Sequence, residues 1–511
     1  MRTLLPLLLV LVCIALLVDA RIPFHPSAMR SWGLGLESGE STFQKLGFPG
    51  AQNCTTRWFT QFIDHYSFGQ PSGAAAGEMT YQQRYLTYDH YFQPGGPIFF
   101  YVGNEAPINV FANIAGLMWQ HAEEFNAAIV FAEHRFYGVS QPCNGSQACF
   151  PHLSPEQALA DYAVLLTNLT GPGGRYERSH GVITFGGSYG GMLSSWMRIK
   201  YPNMITGAIA CSGPITMVSE TFDQDSYWKV STRDATAAGG SAANCSWNIY
   251  KAIQAALDMI DSESGRAQLQ SIFKTCNPID PTKGREQLGW FLQGAFDGMS
   301  MGNYPFPLNF IFGSLEKPAP AWPMHVACQY MADNTNDNTT LLQNLMSSIS
   351  VIYNATEDVP CNDIQTPITD SGNWDYLVCS CQLPDSQPYF ASKGWPHDMY
   401  FESPVWDKQR VDEHCMRKYG IKTRWGWSNT SYGAANVAGA TNIVFSNGLL
   451  DPWHSGGILN NVSDTVKSYI IPEGAHHLDL LFSMPSDPPL LHFVRREHMR
   501  HIRKWLSELH N

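Results

Sequence analysis

A serine at the junction of a predicted strand and a predicted helix is the feature that most constrains the fold. Residues 186–190 read GGSYG; they follow the apolar run 182–185 and precede the helix-like segment 192–197. The glycines let the backbone turn tightly beside the Ser188 hydroxyl, and the first N–H groups of the helix then face a developing oxyanion. A glycine-rich turn that merely contains a serine has the same pattern, so the motif needs support from elsewhere in the chain.

An acid and a histidine follow in the order Ser, Asp, His that is typical of α/β-hydrolases. Asp451 comes after the β-rich run 441–446, and His476 comes after a second such run, 467–471. Both lie just past the carboxyl ends of predicted strands, where open α/β sheets place catalytic groups. We predict that His476 takes the proton of Ser188 and that Asp451 fixes the histidine tautomer. The alternative is a helix-capping aspartate and an ordinary loop histidine.

A series of motifs in the same order resembles the lysosomal Pro-Xaa carboxypeptidase and dipeptidyl peptidase II family of serine exopeptidases. The resemblance begins near Arg57 and extends to the C-terminus. Its segments are QRY at 83–85, GNE at 103–105, FAEHRFYG at 131–138, EQALAD at 156–161, GGSYGGML at 186–193, FSNG at 445–448, LDPW at 450–453 and EGAHHLDL at 473–480. It implies catalytic roles for Ser188, Asp451 and His476, the first of two adjacent histidines.

Two groups of donors are predicted to stabilise the oxyanion. One is the backbone N–H of Tyr189, directly after the nucleophile, and the other is a donor in the loop Gly103-Asn104-Glu105, which follows a predicted strand. The carboxyl group of Glu105 is equally compatible with contacting a substrate amine and with holding its own loop.

Four further residues are expected near the substrate. Met192, Met399 and Trp453 resemble the family's apolar pocket for proline, a compact side chain that has no N–H to satisfy. Each of them is alternatively an ordinary core residue. His477 adjoins the predicted catalytic histidine and is assigned to the substrate site with them.

Composition and motifs exclude several classes of function. A net charge of −12 and a pI near 5.8 argue against nucleic acid as a partner and against a basic membrane-binding face. The sequence has no Walker loop, and no GxGxxG follows a predicted strand, so no cofactor is expected. His498 and His501 share one face of the predicted terminal helix 494–509. They lack the HExxH register, and we predict a solvated basic face and no metal site.

The N-terminus and the cysteines predict passage through the secretory pathway. Residues 1–20 combine a basic start with an apolar run and small residues at the cleavage position, as in a signal peptide; an uncleaved anchor is the alternative. Of the twelve cysteines, Cys13 leaves with this segment, so at least one of the others is unpaired. Glycosylation sequons occur at Asn53, Asn144, Asn168, Asn244, Asn338, Asn354, Asn429 and Asn461. A glycoprotein that is lysosomal or secreted, without a stable membrane anchor, is expected.

The spacing of the triad predicts a large insertion. About 260 residues separate Ser188 from Asp451, far more than the one or two βαβ units that the sheet needs there. We therefore predict an N-terminal arm or pro-segment at 21–55, an α/β-hydrolase domain in two parts, 56–214 and 432–511, and an insertion at 215–431. By resemblance the insertion is a mostly helical cap with the disulfides Cys245–Cys328, Cys276–Cys361 and Cys379–Cys415.

Three other cysteines and two departures from the family pattern carry further expectations. Cys143 and Cys149 are close enough in sequence to close a local loop, and Cys211 is expected to be a buried thiol. The family usually continues HHLDL with arginine, whereas this chain has Leu481. Where the family has YQxCTE, residues 376–381 read YLVCSC. Both departures bear on recognition of the substrate terminus.

The resemblance implies a serine exopeptidase that cleaves proline-containing peptides on the carboxyl side of proline, and the family forms homodimers. A Pro-Xaa carboxypeptidase is favoured by AWP at 321–323, CQY at 328–330 and the short span between Cys361 and Cys379. A dipeptidyl peptidase that releases Xaa-Pro is the alternative.

The dipeptidyl alternative has its own sequence support. GPIFF at 96–100 and WDY at 374–376 resemble that branch, and Asp370 or Asp375 would then bind the substrate amine. A lipase or esterase, or a catalytically inert hydrolase-like binding protein, is more remote.

Overall fold

The structure is a computed structural model that describes residues 41–311, 317–355, 357–365 and 372–509. The predicted signal peptide, the first part of the predicted arm (21–40) and Asp370 lie outside these ranges. Nothing in the structure tests the predicted domain boundaries, which stay predictions.

Eight strands form one sheet in the order β1-β2-β4-β3-β5-β6-β7-β8. They are β1 (Thr55–Phe62), β2 (Thr80–Tyr88), β3 (Ile98–Val102), β4 (Ala128–Ala132), β5 (Val182–Gly187), β6 (Gly207–Cys211), β7 (Ile443–Gly448) and β8 (Val466–Ile471). Strands β3 to β7 are buried at every position, because helices cover both faces of this part of the sheet. The six strands β3 to β8 form the expected parallel sheet, whereas β1 and β2 add an antiparallel edge beside β4.

The helices of the described ranges surround the sheet and fill the insertion. They are α1 (Thr42–Lys45), α2 (Ile108–Ala112), α3 (Gly116–His121), α4 (Pro155–Thr170), α5 (Tyr189–Lys200), α6 (Asp225–Asp234), α7 (Cys245–Met259), α8 (Glu263–Phe273), α9 (Gly284–Met301), α10 (Pro323–Tyr330), α11 (Asn338–Tyr353), α12 (Asn373–Cys381), α13 (Lys408–Tyr419), α14 (Trp427–Tyr432) and α15 (Pro489–Glu508). Helices α6 to α14 all come between β6 and β7.

The insertion has its own apolar core and its own disulfides. Bridges join Cys245 to Cys328, Cys276 to Cys361 and Cys379 to Cys415, the pairs that the family resemblance implied. Helices α7, α9 and α11 bury leucine, isoleucine and phenylalanine side chains against one another. The prediction of an α/β-hydrolase domain with a mostly helical, disulfide-stapled insertion is therefore confirmed.

The remaining cysteines follow the sequence expectations. Cys143 and Cys149 form a local disulfide, and Cys211 is a buried free thiol at the end of β6. Cys54 and Cys381 are the other unpaired cysteines of the described ranges. No helix within these ranges is both long and apolar enough to span a bilayer.

The start of α4 shows how local sequence sets an element boundary. The Ser154 side chain accepts a hydrogen bond from the N–H of Gln157 at 3.3 Å, and Pro155 occupies the first turn. The second half of a capping box is absent, because the Gln157 side chain donates to Asp64 at 2.6 Å. Tertiary structure thus replaces one of the two local contacts.

Candidate active site

The backbone at Ser188 has the strained geometry of a nucleophile at a sharp turn. This residue joins β5 to α5 with a φ of 61° and a ψ of −129°, a conformation that residues with a side chain rarely adopt. A Cβ atom at Gly186 would lie 2.0 Å from the carbonyl oxygen of Gly190, so only glycine fits at that point. The turn holds a partly exposed serine at the carboxyl end of the sheet.

The predicted acid and histidine form a fully buried pair. Nδ1 of His476 lies 2.8 Å from Oδ2 of Asp451. The other oxygen of this carboxylate accepts a hydrogen bond from the backbone N–H of Trp453 at 3.1 Å. A hydrogen bond to a carboxylate requires a proton on Nδ1, which leaves Nε2 of the neutral ring as an acceptor. Nε2 is buried and has no hydrogen-bond partner within the described residues. It is therefore free to take a proton.

The insertion helps to hold this histidine in place. The backbone N–H of His476 donates to the carbonyl of Met301, the last residue of α9, at 3.1 Å. The Tyr304 hydroxyl donates to the carbonyl of His476 at 3.0 Å. Both partners lie in the segment between β6 and β7, so a shift of the insertion would also move the histidine.

His477 links the histidine loop to the nucleophile turn. Its ring lies so close to Gly187 that a Cβ atom there would come within 2.7 Å of the ring. Its backbone N–H donates to the Ser212 hydroxyl at 2.8 Å, and the ring packs against Phe310. Burial, and to a lesser extent the adjacent His476, holds the pKa of His477 well below its usual value. This ring is therefore neutral under ordinary conditions.

The loop after β3 lies against the first turn of α5. The N–H of Gly103 already donates to the carbonyl of Ala132 at 3.0 Å. Oδ1 of Asn104 lies 3.0 Å from the position that a Cβ atom on Gly190 would take, which brings this loop beside the residues after Ser188. Of the two backbone N–H groups predicted in this loop, that of Asn104 is therefore better placed than that of Gly103 to donate to an oxyanion.

Glu105 is a buried carboxyl group beside the histidine. It is only 6% exposed, and its Oε2 has no hydrogen-bond partner in the part of the chain that the structure describes. Burial raises its pKa to about 7, against the opposing effects of its own backbone N–H, the Asn104 side chain and the nearby His476. The carboxyl group is therefore largely protonated in a mildly acidic solution.

The three residues predicted to form a proline pocket fall in two apolar clusters. Met399 belongs to the core of the insertion, and Trp453 packs against that core, where its ring contacts Tyr227 with centroids 4.9 Å apart. Met192 is buried between α5 and the sheet. Trp453 lies two residues after Asp451 and therefore adjoins the candidate triad. A single pocket lined by all three residues stays a prediction.

A buried polar cluster behind the histidine loop was not predicted from the sequence. Oδ2 of Asp479 receives hydrogen bonds from Ser446 at 2.7 Å, from the Cys211 thiol at 3.2 Å and from His498 at 2.6 Å. The His498 contact, more than the other two, holds the pKa of Asp479 at about 2 despite its burial. Cys211, Asp479 and His498 also have the spacing of a metal-ligand group, but here they bond to one another.

This cluster corrects the interpretation of the terminal helix. His498 and His501 were expected on a solvated basic face, whereas both are buried. His498 contacts Asp479, and His501 lies 2.9 Å from the hydroxyl of Tyr469. The face is buried because α15 packs on the sheet, and sequence periodicity alone did not identify these partners.

Arg495 is a second organising residue that the sequence did not reveal. Its buried guanidinium donates to the carbonyl oxygens of Leu478 at 3.0 Å, Asp479 at 3.1 Å and Leu481 at 3.1 Å, and it pairs with Asp487. Leu481, the position where the family usually has arginine, is a fully buried apolar residue. A guanidinium from α15 therefore fastens the turn that follows the two histidines.

The predicted glycosylation sites are on the surface. The asparagines at 53, 144, 168, 244, 338, 429 and 461 are exposed, and Asn354 is partly exposed. Exposure is required for modification and does not establish it, so glycosylation stays a prediction.

The fold and the site define an α/β-hydrolase with a serine at the nucleophile turn and a buried Asp–His pair. Residues 73–498 match the family described as serine carboxypeptidase S28. The chain is 35% identical over 472 residues to "Lysosomal Pro-X carboxypeptidase" of Homo sapiens, covering 90% of each chain. For the protein of the same description in Mus musculus, the identity is 36% over 473 residues, with 90% of this chain and 91% of that one covered. This protein therefore belongs to the S28 family of serine peptidases.

Solved structures of other hydrolases resemble the chain more distantly. An epoxide hydrolase from Vigna radiata aligns over 89% of this chain and 100% of its own, with 12% identity and a TM-score of 0.33. A likeness at that level carries no functional argument.

Proposed function

We propose that this protein is a serine exopeptidase that hydrolyses the peptide bond on the carboxyl side of proline and releases a C-terminal residue. The observation that carries the proposal is the buried Asp451–His476 pair. Nε2 of His476 has no hydrogen-bond partner among the described residues, and the pair lies at the same end of the sheet as the strained Ser188 turn. Relatives that align over nine-tenths of both chains are described as lysosomal Pro-X carboxypeptidases. The substrate class is transferred from those relatives.

The proposed reaction follows from the roles of three side chains. Nε2 of His476 accepts the proton of the Ser188 hydroxyl while the serine oxygen attacks the proline carbonyl carbon. The resulting oxyanion accepts hydrogen bonds from the N–H groups of Tyr189 and Asn104. His476 then gives its proton to the leaving amine, and water hydrolyses the acyl-enzyme by the same route. Asp451 stays ionised and stabilises the transient imidazolium.

Specificity for proline is assigned to apolar residues next to the triad. A rigid ring without an N–H needs no polar partner in its pocket, which suits side chains such as Met192, Met399 and Trp453. The backbone N–H of Trp453 donates to Asp451 at 3.1 Å, so this residue is held next to the acid.

The state of Asp375 favours the carboxypeptidase over the dipeptidyl peptidase. A dipeptidyl peptidase needs a carboxylate that is free to bind the substrate's N-terminal ammonium. The Asp375 carboxylate is buried and already accepts hydrogen bonds from the hydroxyls of Tyr389 and Tyr419 and from His414 at 3.0 Å. These contacts outweigh burial and hold the pKa of Asp375 far below its usual value. The carboxylate therefore has a structural role and is not free to bind a substrate ammonium.

The cellular location is proposed from sequence and relatives together. The predicted signal peptide, the exposed sequons and the four disulfides suit a protein of the secretory pathway, either lysosomal or secreted. Proline-containing peptides are the proposed partners. A homodimer remains a proposal from the family resemblance alone.

Two peptides test the direction of cleavage. One is blocked at its N-terminus and has proline second from its C-terminus; the other has a free N-terminus, proline second and an amidated C-terminus. The proposal predicts release of the C-terminal residue from the first peptide. Cleavage of the second alone, with release of an Xaa-Pro dipeptide, would overturn the direction. Short esters cleaved in preference to both would identify an esterase.

A further inference from the structure

Glu105 is the buried acid of the site that the proposed reaction does not use. It lies in the loop between β3 and α2, beside Asn104, which supplies a proposed oxyanion donor. A positive charge on the nearby His476 would favour the ionised form of this group and so lower its pKa. Oε2 of this carboxyl group is buried without a hydrogen-bond partner in the described ranges. A polar atom left in that state costs stability unless a ligand satisfies it.

No basic side chain neutralises this carboxyl group. Ion pairs of Glu105 with lysine or arginine are absent from the described residues, and His476 is the positive group that favours its ionised form. Two phenols lie near enough to feel its charge: burial is the main reason that the pKa values of Tyr101 and Tyr137 are raised, and the nearby Glu105 adds to the effect. The Tyr137 hydroxyl, like Oε2, is buried without a partner among the described residues.

In a carboxypeptidase, the terminal carboxylate of the substrate lies close to the bond that is cleaved. His476 protonates the leaving amine, so the released residue begins beside that ring. In a carboxypeptidase the released residue is single, and its carboxylate follows its amine within one residue length, about 3.8 Å. Glu105 directly follows Asn104, whose side chain lies against Gly190 in the first turn of α5, so the loop that carries this carboxyl group borders the site of the reaction.

We propose that the protonated carboxyl group of Glu105 donates a hydrogen bond to the terminal carboxylate of the substrate and so selects peptides with a free C-terminus. This inference rests on the proposed function, because it assigns the recognition of the terminus in that same reaction. A neutral acid is a hydrogen-bond donor, and a desolvated site strengthens the bond. The ionised form has no proton to donate and would repel the substrate.

The burial of Glu105 disfavours an ammonium ligand. An ammonium would need an ionised Glu105, and burial opposes ionisation, raising the pKa of this group to about 7. At the mildly acidic pH of a lysosome the acid is therefore protonated. The terminal carboxylate of a peptide, with a pKa of about 3.5, is ionised there. A neutral donor and an anionic acceptor coexist below pH 7.

The test compares N-acetylated Ala-Pro-Phe as its free acid and as its C-terminal amide. The measured quantity is the ratio of their kcat/KM values between pH 5 and pH 8.5. Steps that the two substrates share cancel in the ratio, which leaves the titration of the group that binds the terminal carboxylate. In the wild-type protein we expect the ratio to favour the acid below pH 7 and to fall about tenfold per pH unit above the pKa of Glu105.

Two variants complete the design. Glu105→Gln keeps a hydrogen-bond donor but does not titrate, so its ratio should be independent of pH. Glu473→Gln removes an exposed carboxylate three residues before His476 and should keep the wild-type profile. A wild-type ratio that is flat across the range, or a fall that persists in Glu105→Gln, would overturn the inference. If Glu105→Gln fails to fold, the wild-type profile still decides.

The outcomes separate this inference from the proposed function. If both peptides are cleaved after proline with a flat ratio, the function stands and the role of Glu105 is wrong. If neither peptide is cleaved at any pH, the proposed function itself fails.

Discussion

The ring of His477 packs directly over the α-carbon of Gly187, the residue before the candidate nucleophile. A Cβ atom on Gly187 would lie 2.7 Å from Cγ of that ring, and the rings of His476 and His477 have centroids 4.5 Å apart. The glycine is needed for space at this position. The nucleophile turn and the histidine loop therefore have one closely fitted contact, which sets the distance between them.

A methyl group at Gly187 should disturb catalysis more than folding. We expect Gly187→Ala to lower kcat/KM on the order of 100-fold, because it pushes the histidine loop away from Ser188 by a fraction of an ångström or more. Overpacking should lower the free energy of unfolding by about 1–3 kcal/mol. Gly439→Ala is the matched control, since a Cβ there meets no atom within 4 Å. Wild-type activity in Gly187→Ala would show that the contact does not position the histidine.

The two adjacent histidines should differ sharply in importance. His476→Ala removes the proposed base and should lower kcat on the order of 10⁶-fold. His477→Ala removes a ring with no role in proton transfer and should retain measurable activity. Steady-state kinetics on the blocked proline peptide compares the two variants, with thermal unfolding as the check on folding. If His477 proves to be the essential residue, the assignment of the pair is reversed.

Replacing the acid by its amide should fix the histidine in the wrong tautomer. In Asp451→Asn the side-chain NH₂ faces Nδ1, so Nδ1 becomes an acceptor and the proton moves to Nε2. We expect kcat to fall about 10⁴-fold with little change in KM. The variant should fold, because the amide oxygen still accepts the Trp453 N–H. Activity within tenfold of wild type would remove Asp451 from the mechanism.

The Asp479 cluster predicts a component of acid stability. Its folded pKa is about 2, below the usual 3.8, so the ionised form stabilises the fold above about pH 4, and this contribution is lost as the pH falls towards 2. Asp479→Asn should lower the free energy of unfolding by about 2 kcal/mol at pH 5 and should depend less on pH below 4. Asp464→Asn, at a fully exposed position, should behave as wild type. Equal denaturant midpoints for both variants at pH 5 would contradict this role.

The triad motifs could be predicted because their signals are local. The turn around Ser188 needs glycines at fixed positions between a strand and a helix, and the structure has that turn, with a φ of 61° at Ser188. Asp451 and His476 each follow a strand, and parallel strands bring their carboxyl ends to one edge. Sequence order and sheet topology were sufficient to bring them together.

The second layer of the site could not be predicted, because its contacts join distant segments. Arg495 lies on a helix that reads as polar, yet its guanidinium is buried in the turn after the histidines. His498 meets Asp479 only because α15 packs across the sheet. Likewise, no local pattern indicates that the Gly103 N–H is engaged by Ala132. Each of these partners is chosen by packing, which periodicity does not encode.

The central claim is that Ser188 is the nucleophile of a peptidase that cleaves after proline. The most direct measurement is turnover of the N-acetylated Ala-Pro-Phe peptide by wild type and Ser188→Ala, together with labelling by a fluorophosphonate and mapping of the modified residue. We expect release of phenylalanine by wild type, a loss on the order of 10⁶-fold in the variant and a label on Ser188 alone. Undiminished cleavage by Ser188→Ala, or a label on another serine that abolishes activity, would contradict it.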